Sequence, residues 1–239
     1  MKNEMWLAID TATEFASVAV GNAETAVLSR MVGARQHAAQ ILLVIEHVLE
    51  KAGVSLEHIT GIIVGDGPGS FTGLRIGWAA AKGLAHDREI PLIAIPSLLG
   101  AAAMSAETTS PVAACYDALR GQVFGAIYSF PVGRVEIIIP PGLYTVSELA
   151  RSAPVRPVLV VGEGIDAYED EITNWVGRPP VTLEKVPPIA GSFLMLASRD
   201  GARRELGDPA SAEPVYGRPA EAQVKWEKSH GRPLPHPPR

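Results

Sequence analysis

A glycine-rich segment, GDGPGSFTGLRIG, from Gly65 to Gly77, has the residue types and spacing best suited to chemistry. Closely spaced glycines let backbone amides approach a phosphate, let the chain turn sharply, or let a neighbouring helix pack closely. The segment is not a Walker phosphate loop, because Gly73, Leu74 and Arg75 follow one another where Gly-Lys-Ser/Thr is required. It is not a dinucleotide-binding loop either, because no acidic residue closes the next apolar run. A phosphate site, a turn and a packing surface all remain open.

A second candidate for phosphate contact is the turn in Ile9–Thr13, which follows the first apolar run. A phosphate turn needs backbone amides that can close on the ligand, and this usually requires glycine. Ala12 and Thr13 carry side chains that limit such an approach. The residues therefore favour an ordinary turn in which Asp10 and Thr11 satisfy local amides, with a vestigial phosphate pocket as the alternative.

The glycine-rich segment leads into a predicted helix, and Ser70 is its expected N-cap, with Thr72 as the alternative. Arg75 lies in the first turns, where the helix dipole disfavours a cation, so we expect an acidic partner or an anion beside it. The alternative is a surface arginine without a special role. The candidate contacts to an anion or nucleotide are therefore Asp10, Thr11, Gly67, Gly69, Ser70, Thr72 and Arg75.

Small residues recur every four positions along this helix, at Gly73, Gly77 and Ala81, with Ala80 and Gly83 nearby. Each glycine inside a helix costs about 0.5–1 kcal/mol relative to alanine, so several of them indicate a compensating gain. Close approach of a neighbouring helix is the simplest such gain. The sequence does not decide whether that neighbour belongs to this chain or to another one.

The predicted helix Gln36–Ala52 has a wide apolar face, because Leu43 and Val44 extend its main stripe. A wide face beside a glycine-lined helix is typical of a helix-bundle interface, although both faces could instead be buried inside the chain. The predicted interface with a partner is made of apolar and small residues of both helices: Ile41, Leu42, Val44, Ile45, Gly73, Leu74, Ile76, Gly77, Trp78, Ala80 and Ala81.

Composition favours an ordinary soluble protein. The chain has 239 residues, of which 47 % are hydrophobic and 20 % charged, and its net charge is −5. The absence of a basic excess argues against a large nucleic-acid or anionic-membrane footprint. The single cysteine, Cys115, excludes an internal disulfide and a multi-cysteine zinc site. We find no secretory signal and no membrane span, and we expect a cytoplasmic location.

The order of predicted elements indicates a duplicated α/β fold, with two βββαβα-type lobes whose mixed sheets are flanked by helices. We expect an N-terminal lobe at 1–105, a C-terminal lobe at 106–222 with the junction near Gly100–Pro111, and a disordered tail at 223–239. The predicted elements of the second half include helices over Val146–Arg151, Ile165–Trp175 and Ile189–Arg199.

Several sequence strings, in this order, resemble the TsaB family, also called YeaZ, and the match extends to about residue 220. They are AIDTAT, ARQHAAQILLVIEHVL, GPGSFTGLRIG, AKGLA, YDALRGQVF and EPVYGRP. The resemblance implies the fold of the actin-like ATPase and sugar-kinase superfamily. It also implies a role in making N6-threonylcarbamoyladenosine (t6A) in tRNA.

In that family this subunit is not the catalyst, and the resemblance implies a dimerisation or scaffold role beside the transferase TsaD. It further implies the ATPase TsaE as a partner, tRNA contact through the complex, and no tightly bound cofactor, with ATP or ADP at the interface of the complex. A homodimer is expected when the chain is alone.

Two enzymatic alternatives remain for comparison. TsaD-type relatives bind metal through His-x-x-x-His on the equivalent helix, but here His37 is followed four residues later by Ile41, so we expect no metal and no metallopeptidase. The other alternative is a freestanding nucleotide-dependent kinase or ATPase, which would bind ATP between the lobes near Asp10 and Gly162.

Overall fold

The computed structural model describes residues 4–33, 37–105, 109–206, 208–219 and 229–231, and it confirms the predicted α/β fold class with two mixed five-stranded sheets flanked by helices. The strands are β1 (Met5–Asp10), β2 (Ser17–Gly21), β3 (Ala26–Arg30), β4 (Ile59–Gly65), β5 (Leu92–Ile95), β6 (Val112–Asp117), β7 (Val123–Ser129), β8 (Glu136–Tyr144), β9 (Leu159–Glu163) and β10 (Val181–Thr182). The helices are α1 (His37–Ala52), α2 (Phe71–Arg88), α3 (Ser97–Ser105), α4 (Val146–Ser152), α5 (Glu169–Val176) and α6 (Ala190–Leu196).

The two sheets repeat one topology. The first has the order β3-β2-β1-β4-β5, and the second has the order β10-β9-β6-β7-β8, which is the same pattern read from the other edge. The central strand of each, β1 or β6, pairs antiparallel with the next strand of the chain and parallel with the strand that follows a longer connection. This equivalence supports the predicted duplication at the level of topology.

Helices form three layers around the sheets. Residues of α1 and α2 share a core with Leu7 and Ile9 on the outer face of the first sheet, because alternate residues of a strand point to opposite faces. Ala8 faces the other way and belongs to the central core, which α3 and α6 fill between the two sheets. Helices α4 and α5 cover the outer face of the second sheet. We call the first sheet with α1 and α2 the first lobe, and the second sheet with α4 and α5 the second lobe.

The segment predicted as a junction, Gly100–Pro111, begins inside helix α3. The sequence concealed this helix because its run of leucine and alanine is buried on almost every side and shows no amphipathic period. The predicted helix Ile165–Trp175 is a short 3-10 helix, Ile165–Tyr168, followed by α5.

The domain division stays a prediction, because the chain returns to the first sheet after β10. Helix α6 packs on β1, β2 and β3, and the Ala190 amide donates a hydrogen bond to the Ser17 hydroxyl at 3.0 Å. The predicted tail, 223–239, lies outside the described residues except for 229–231. None of the described helices is both long enough and apolar enough to cross a bilayer.

Candidate functional site

The glycine-rich segment is a corner between β4 and α2 that packs against the first turn. A Cβ atom at Gly69 would lie 2.2 Å from the Ala12 carbonyl oxygen, and that oxygen accepts a hydrogen bond from the Ser70 amide at 2.6 Å. Gly67 has a φ of +94° and lies against the carbonyl oxygen of Val215. Glycine is therefore needed here for a positive φ and for close backbone contact within the chain.

The small residues of α2 also serve contacts inside the chain. A Cβ atom at Gly73 would lie 2.1 Å from the Thr11 carbonyl oxygen, and one at Gly77 would lie 2.3 Å from the Thr11 hydroxyl oxygen. The Thr11 hydroxyl donates to the Gly73 carbonyl at 2.8 Å. The neighbour of Gly73 and Gly77 inside the chain is therefore Thr11, directly after β1, and their contact with a foreign helix stays a prediction.

Most of the predicted interface residues lie in the core of the first lobe rather than on its surface. Leu74 and Ala81 are fully buried, and Trp78 is buried with its indole nitrogen donating to the Gly65 carbonyl at 3.2 Å. Ile41 and Ile45 of α1 are also buried. Ile45 also lines a surface groove, described next, whereas the burial of the other four does not favour contact with a partner. The interface as a whole stays a prediction. The apolar period of α1 was correctly identified, but the sequence could not separate its core side from its outer side.

An apolar surface nevertheless remains on the outer side of α1 and α2. Leu42 and Leu43 are 60 % and 62 % exposed, so apolar surface is left uncovered at two successive positions of α1 rather than at one isolated leucine. A groove of about 410 Å³ runs beside α1, and Leu84 of α2 contributes to its wall. We call these features the outer helix face, with the groove lined by Leu42, Ile45, Glu46, Leu49, Glu50, Val54, Ser55, Leu56 and Leu84.

Four further residues of the two helices complete the outer helix face. Val44, Ile76 and Ala80, all predicted for the interface, are half-buried. Gly83 is exposed, and a Cβ atom there would meet no atom of the described residues within 4 Å. Unlike Gly73 and Gly77, Gly83 therefore has no close contact with the described part of the chain that would require a glycine.

The second candidate site is a cleft of about 570 Å³ between the lobes. The first lobe contributes its first turn and the start of α2, and the second contributes the ends of β6, β7 and β9. The described lining residues are Ala12, Thr13, Glu14, Gly69, Ser70, Phe71, Tyr116, Asp117, Leu119, Phe124, Glu163, Tyr216, Arg218 and Pro219. Sequence reasoning missed Glu14, Glu163 and the aromatic residues, because no motif joins segments so far apart in the chain.

Only two of the predicted anion contacts, Gly69 and Ser70, line this cleft. Asp10 and Thr11 are buried beneath it, and the Ser97 hydroxyl donates to Asp10 Oδ1 at 2.6 Å. Burial raises the pKa of Asp10 to about 6, although the hydrogen bond from Ser97 lowers it. Asp10 therefore lies below the cleft surface rather than on it.

Ser70 is confirmed as the N-cap of α2, since its hydroxyl accepts a hydrogen bond from the Gly73 amide at 3.2 Å. Thr72, the alternative cap, is exposed in the first turn. Arg75 packs over the Phe71 ring, with 4.3 Å between the guanidinium carbon and the ring centroid, and donates to the Tyr216 hydroxyl at 3.2 Å. The expected acidic partner of Arg75 is thus replaced by two aromatic rings.

Residues 208–219 form a strap that returns across the first lobe and reaches the second. The Val215 amide donates to the Asp66 carbonyl at 2.8 Å, and the Arg204 guanidinium, just before the strap, makes a bidentate ion pair with the buried Asp66 carboxylate. At the far end of the strap, the Arg218 guanidinium donates a hydrogen bond to the Ala118 carbonyl oxygen of the second lobe. The strap thereby closes one side of the cleft.

The described residues offer little conventional catalytic chemistry. Among them, no three His, Cys, Asp or Glu side chains are grouped so that they could hold a metal ion. Burial raises the pKa of the Cys115 thiol to about 12, so this thiol is not an activated nucleophile. Asp117 is engaged by the Tyr168 hydroxyl at 3.0 Å and by the Leu119 amide at 2.9 Å.

Comparison with known proteins gives one consistent result. The family model "TsaD: tRNA N6-adenosine threonylcarbamoyltransferase" matches residues 30–168. The tRNA threonylcarbamoyladenosine biosynthesis protein TsaB of Escherichia coli is 33 % identical over 234 residues, covering 95 % of this chain and 98 % of that protein. TsaB of Bacillus subtilis is 28 % identical and covers 93 % of this chain and 98 % of that protein.

A solved structure agrees with these sequence relatives. YeaZ from Pseudomonas aeruginosa superposes with a TM-score of 0.71 at 28 % identity, covering 89 % of this chain and 99 % of that one. The near-complete coverage in both directions means that the likeness extends over the whole fold rather than over one motif. The chain belongs to the TsaB (YeaZ) family of tRNA threonylcarbamoyladenosine biosynthesis proteins.

Proposed function

We propose that this chain is a non-catalytic scaffold subunit of the machinery that makes t6A in tRNA, and that it binds the transferase TsaD through the outer helix face. The observation that carries the proposal is the exposure of Leu42 and Leu43, beside an apolar groove on the same helix. Exposed leucines next to such a groove are typical of a protein-binding surface.

The relation to TsaD supports the choice of partner. Residues 30–168, which match the TsaD family, include both α1 and α2, so a TsaD subunit would present two corresponding helices. Two related chains can pair through like faces, as two copies of one chain do about a two-fold axis. The same face would then support a homodimer when TsaD is absent.

The remaining partners follow from the same role. TsaE would join the pair, tRNA would be contacted through the complex, and ATP or ADP would lie at the interface of the complex rather than being tightly held by this chain. Catalysis would belong to TsaD, because the described residues of this chain lack an activated nucleophile.

The proposal is tested by measuring how tightly the chain binds purified TsaD from the same organism. Burying one leucine side chain contributes about 1.5–3 kcal/mol, so we expect Leu42→Glu to weaken the complex by about tenfold or more. Leu43→Glu should act in the same direction. Gly77→Leu is unsuitable as a test, because its side chain would clash with Thr11 inside the lobe.

Val132→Glu provides the matched control, because Val132 is 99 % exposed and lies between β7 and β8 of the second lobe. This variant should bind TsaD as wild type does. Wild-type chain that fails to associate with TsaD at micromolar concentration, or Leu42→Glu and Val132→Glu that behave alike, would contradict the proposal.

The alternative of a freestanding ATPase is less well supported. The cleft between the lobes is large enough for part of a nucleotide, but Glu14, Asp117 and Glu163 bring carboxylates to its walls, where a phosphate chain would be repelled. Calorimetry that detected tight ATP binding with turnover by the isolated chain would favour this alternative.

A further inference from the structure

One side chain of the second lobe crosses the cleft and contacts the backbone of the first lobe. Glu163 is the last residue of β9, and its Oε1 atom accepts a hydrogen bond from the Glu14 amide at 3.1 Å. Glu14 lies in the turn between β1 and β2, and both residues line the cleft. A backbone amide that faces the cleft is therefore already hydrogen-bonded to a carboxylate of the chain itself.

The neighbouring amides of the same turn are also engaged by acceptors of this chain. The Ala12 amide donates to the Asp10 carboxylate, and the Phe15 amide donates to the Thr13 hydroxyl at 3.2 Å. These two acceptors are local, within two residues of their donors. Glu163 differs, because it reaches the turn from the opposite lobe and 149 residues further along the chain.

The position of Glu163 is electrostatically unfavourable, which makes its contact with an amide informative. Burial is the largest cause that raises the pKa of Glu163, and the carboxylates of Glu14, Asp117 and Asp10 raise it further. The Glu14 amide opposes this rise by its hydrogen bond. On the described cleft wall the nearby cation is Arg218, whose guanidinium is already placed on the Ala118 carbonyl and over the Phe124 ring.

We propose that the Glu163 carboxylate is an internal substitute for an anionic ligand, holding the two lobes together across the cleft and excluding phosphate-bearing ligands from the turn between β1 and β2. A carboxylate and a phosphate oxygen compete for the same kind of donor, a backbone amide in a turn. While Glu163 accepts the hydrogen bond of the Glu14 amide, that amide is not available to a phosphate in the cleft. The phosphate is also repelled by the carboxylates of Glu14, Asp117 and Glu163. This autoinhibitory contact goes beyond the proposed scaffold function and does not depend on it.

The test uses the full-length chain with Glu163→Ala and Glu163→Gln. Alanine removes both the acceptor and the charge, whereas glutamine retains an acceptor oxygen for the Glu14 amide. We expect exchange of the Glu14 amide, measured by NMR, to become at least about tenfold faster in the alanine variant and to stay near the wild-type rate in the glutamine variant. We also expect inorganic triphosphate, titrated by calorimetry, to bind the alanine variant at least about tenfold more tightly than it binds wild type.

Glu184→Ala is the matched control, because it removes one exposed carboxylate of the second half of the chain outside the cleft. It should leave both measurements unchanged. Glu163→Ser replaces the alanine variant if the latter fails to fold.

Three results would overturn the inference. The first is unchanged exchange of the Glu14 amide in Glu163→Ala, since the contact would then not hold the turn. The second is triphosphate binding in that variant no tighter than in Glu184→Ala or in wild type. The third is equal triphosphate binding by the glutamine and alanine variants, since the charge alone would then exclude the ligand.

Discussion

Replacing Gly73 by alanine tests directly whether the small residues of α2 serve a contact inside the chain. The added Cβ atom would lie 2.1 Å from the Thr11 carbonyl oxygen, so α2 must move away from β1. Overpacking of this kind costs about 1–3 kcal/mol. The shift also weakens the 2.8 Å hydrogen bond from the Thr11 hydroxyl to the Gly73 carbonyl, which contributes about 1 kcal/mol. The higher helix propensity of alanine offsets about 0.5–1 kcal/mol of this loss of stability. We expect Gly73→Ala to lower the free energy of unfolding by about 1–3 kcal/mol.

Gly83→Ala is the matched comparison, because it makes the same substitution in the same helix at an open position. It should raise the free energy of unfolding by about 0.5–1 kcal/mol. Urea unfolding followed by circular dichroism measures both changes, and the Gly73 variant should also melt several degrees lower. A Gly73→Ala protein as stable as wild type, or two variants that shift in the same direction, would refute the packing argument.

Three further predictions concern buried polar groups. Burial raises the pKa of Asp10 to about 6 in the folded chain against an ordinary 3.8, so the ionised carboxylate destabilises the fold. Wild type should therefore lose about 2 kcal/mol relative to Asp10→Asn as the pH rises from 4 to 7, measured by denaturation at each pH. Arg204→Met should lower stability by about 2 kcal/mol at pH 7 and by less at pH 5, because it leaves the buried Asp66 carboxylate without its ion pair, and an equal loss at both pH values would contradict this. The Cys115 thiol should resist an aromatic disulfide reagent in the native state and react on unfolding, so fast native reaction would contradict its burial.

Much of the fold could be predicted because each half of the chain combines short alternating strands with periodic helices. The predicted helix Gln36–Ala52 corresponds to α1, and its first residue, Gln36, lies outside the described residues. Helix α3 could not be predicted as a helix, because a segment buried on almost every side has no polar period to reveal it. The return of α6 to the first sheet was likewise hidden, because pairing between distant segments leaves no local signal.

The candidate sites were less predictable than the fold. A glycine that recurs every four residues signals a close approach, but it does not name the neighbour, and here the neighbour of Gly73 and Gly77 inside the chain is Thr11 of the same lobe. Exposure of Leu42 could not be separated from burial of Ile41 without the position of the first sheet. The contact between Glu14 and Glu163 joins two turns that carry no motif.

Hydrogen–deuterium exchange of the complex with TsaD, compared with the free chain, tests the central claim most directly. We predict that protection on binding is concentrated in α1 around Leu42 and Leu43 and on the outer side of α2 around Gly83, while α4 and α5 exchange as they do in the free chain. Protection confined to the second lobe, with α1 unchanged, would contradict the claim that the outer helix face binds TsaD.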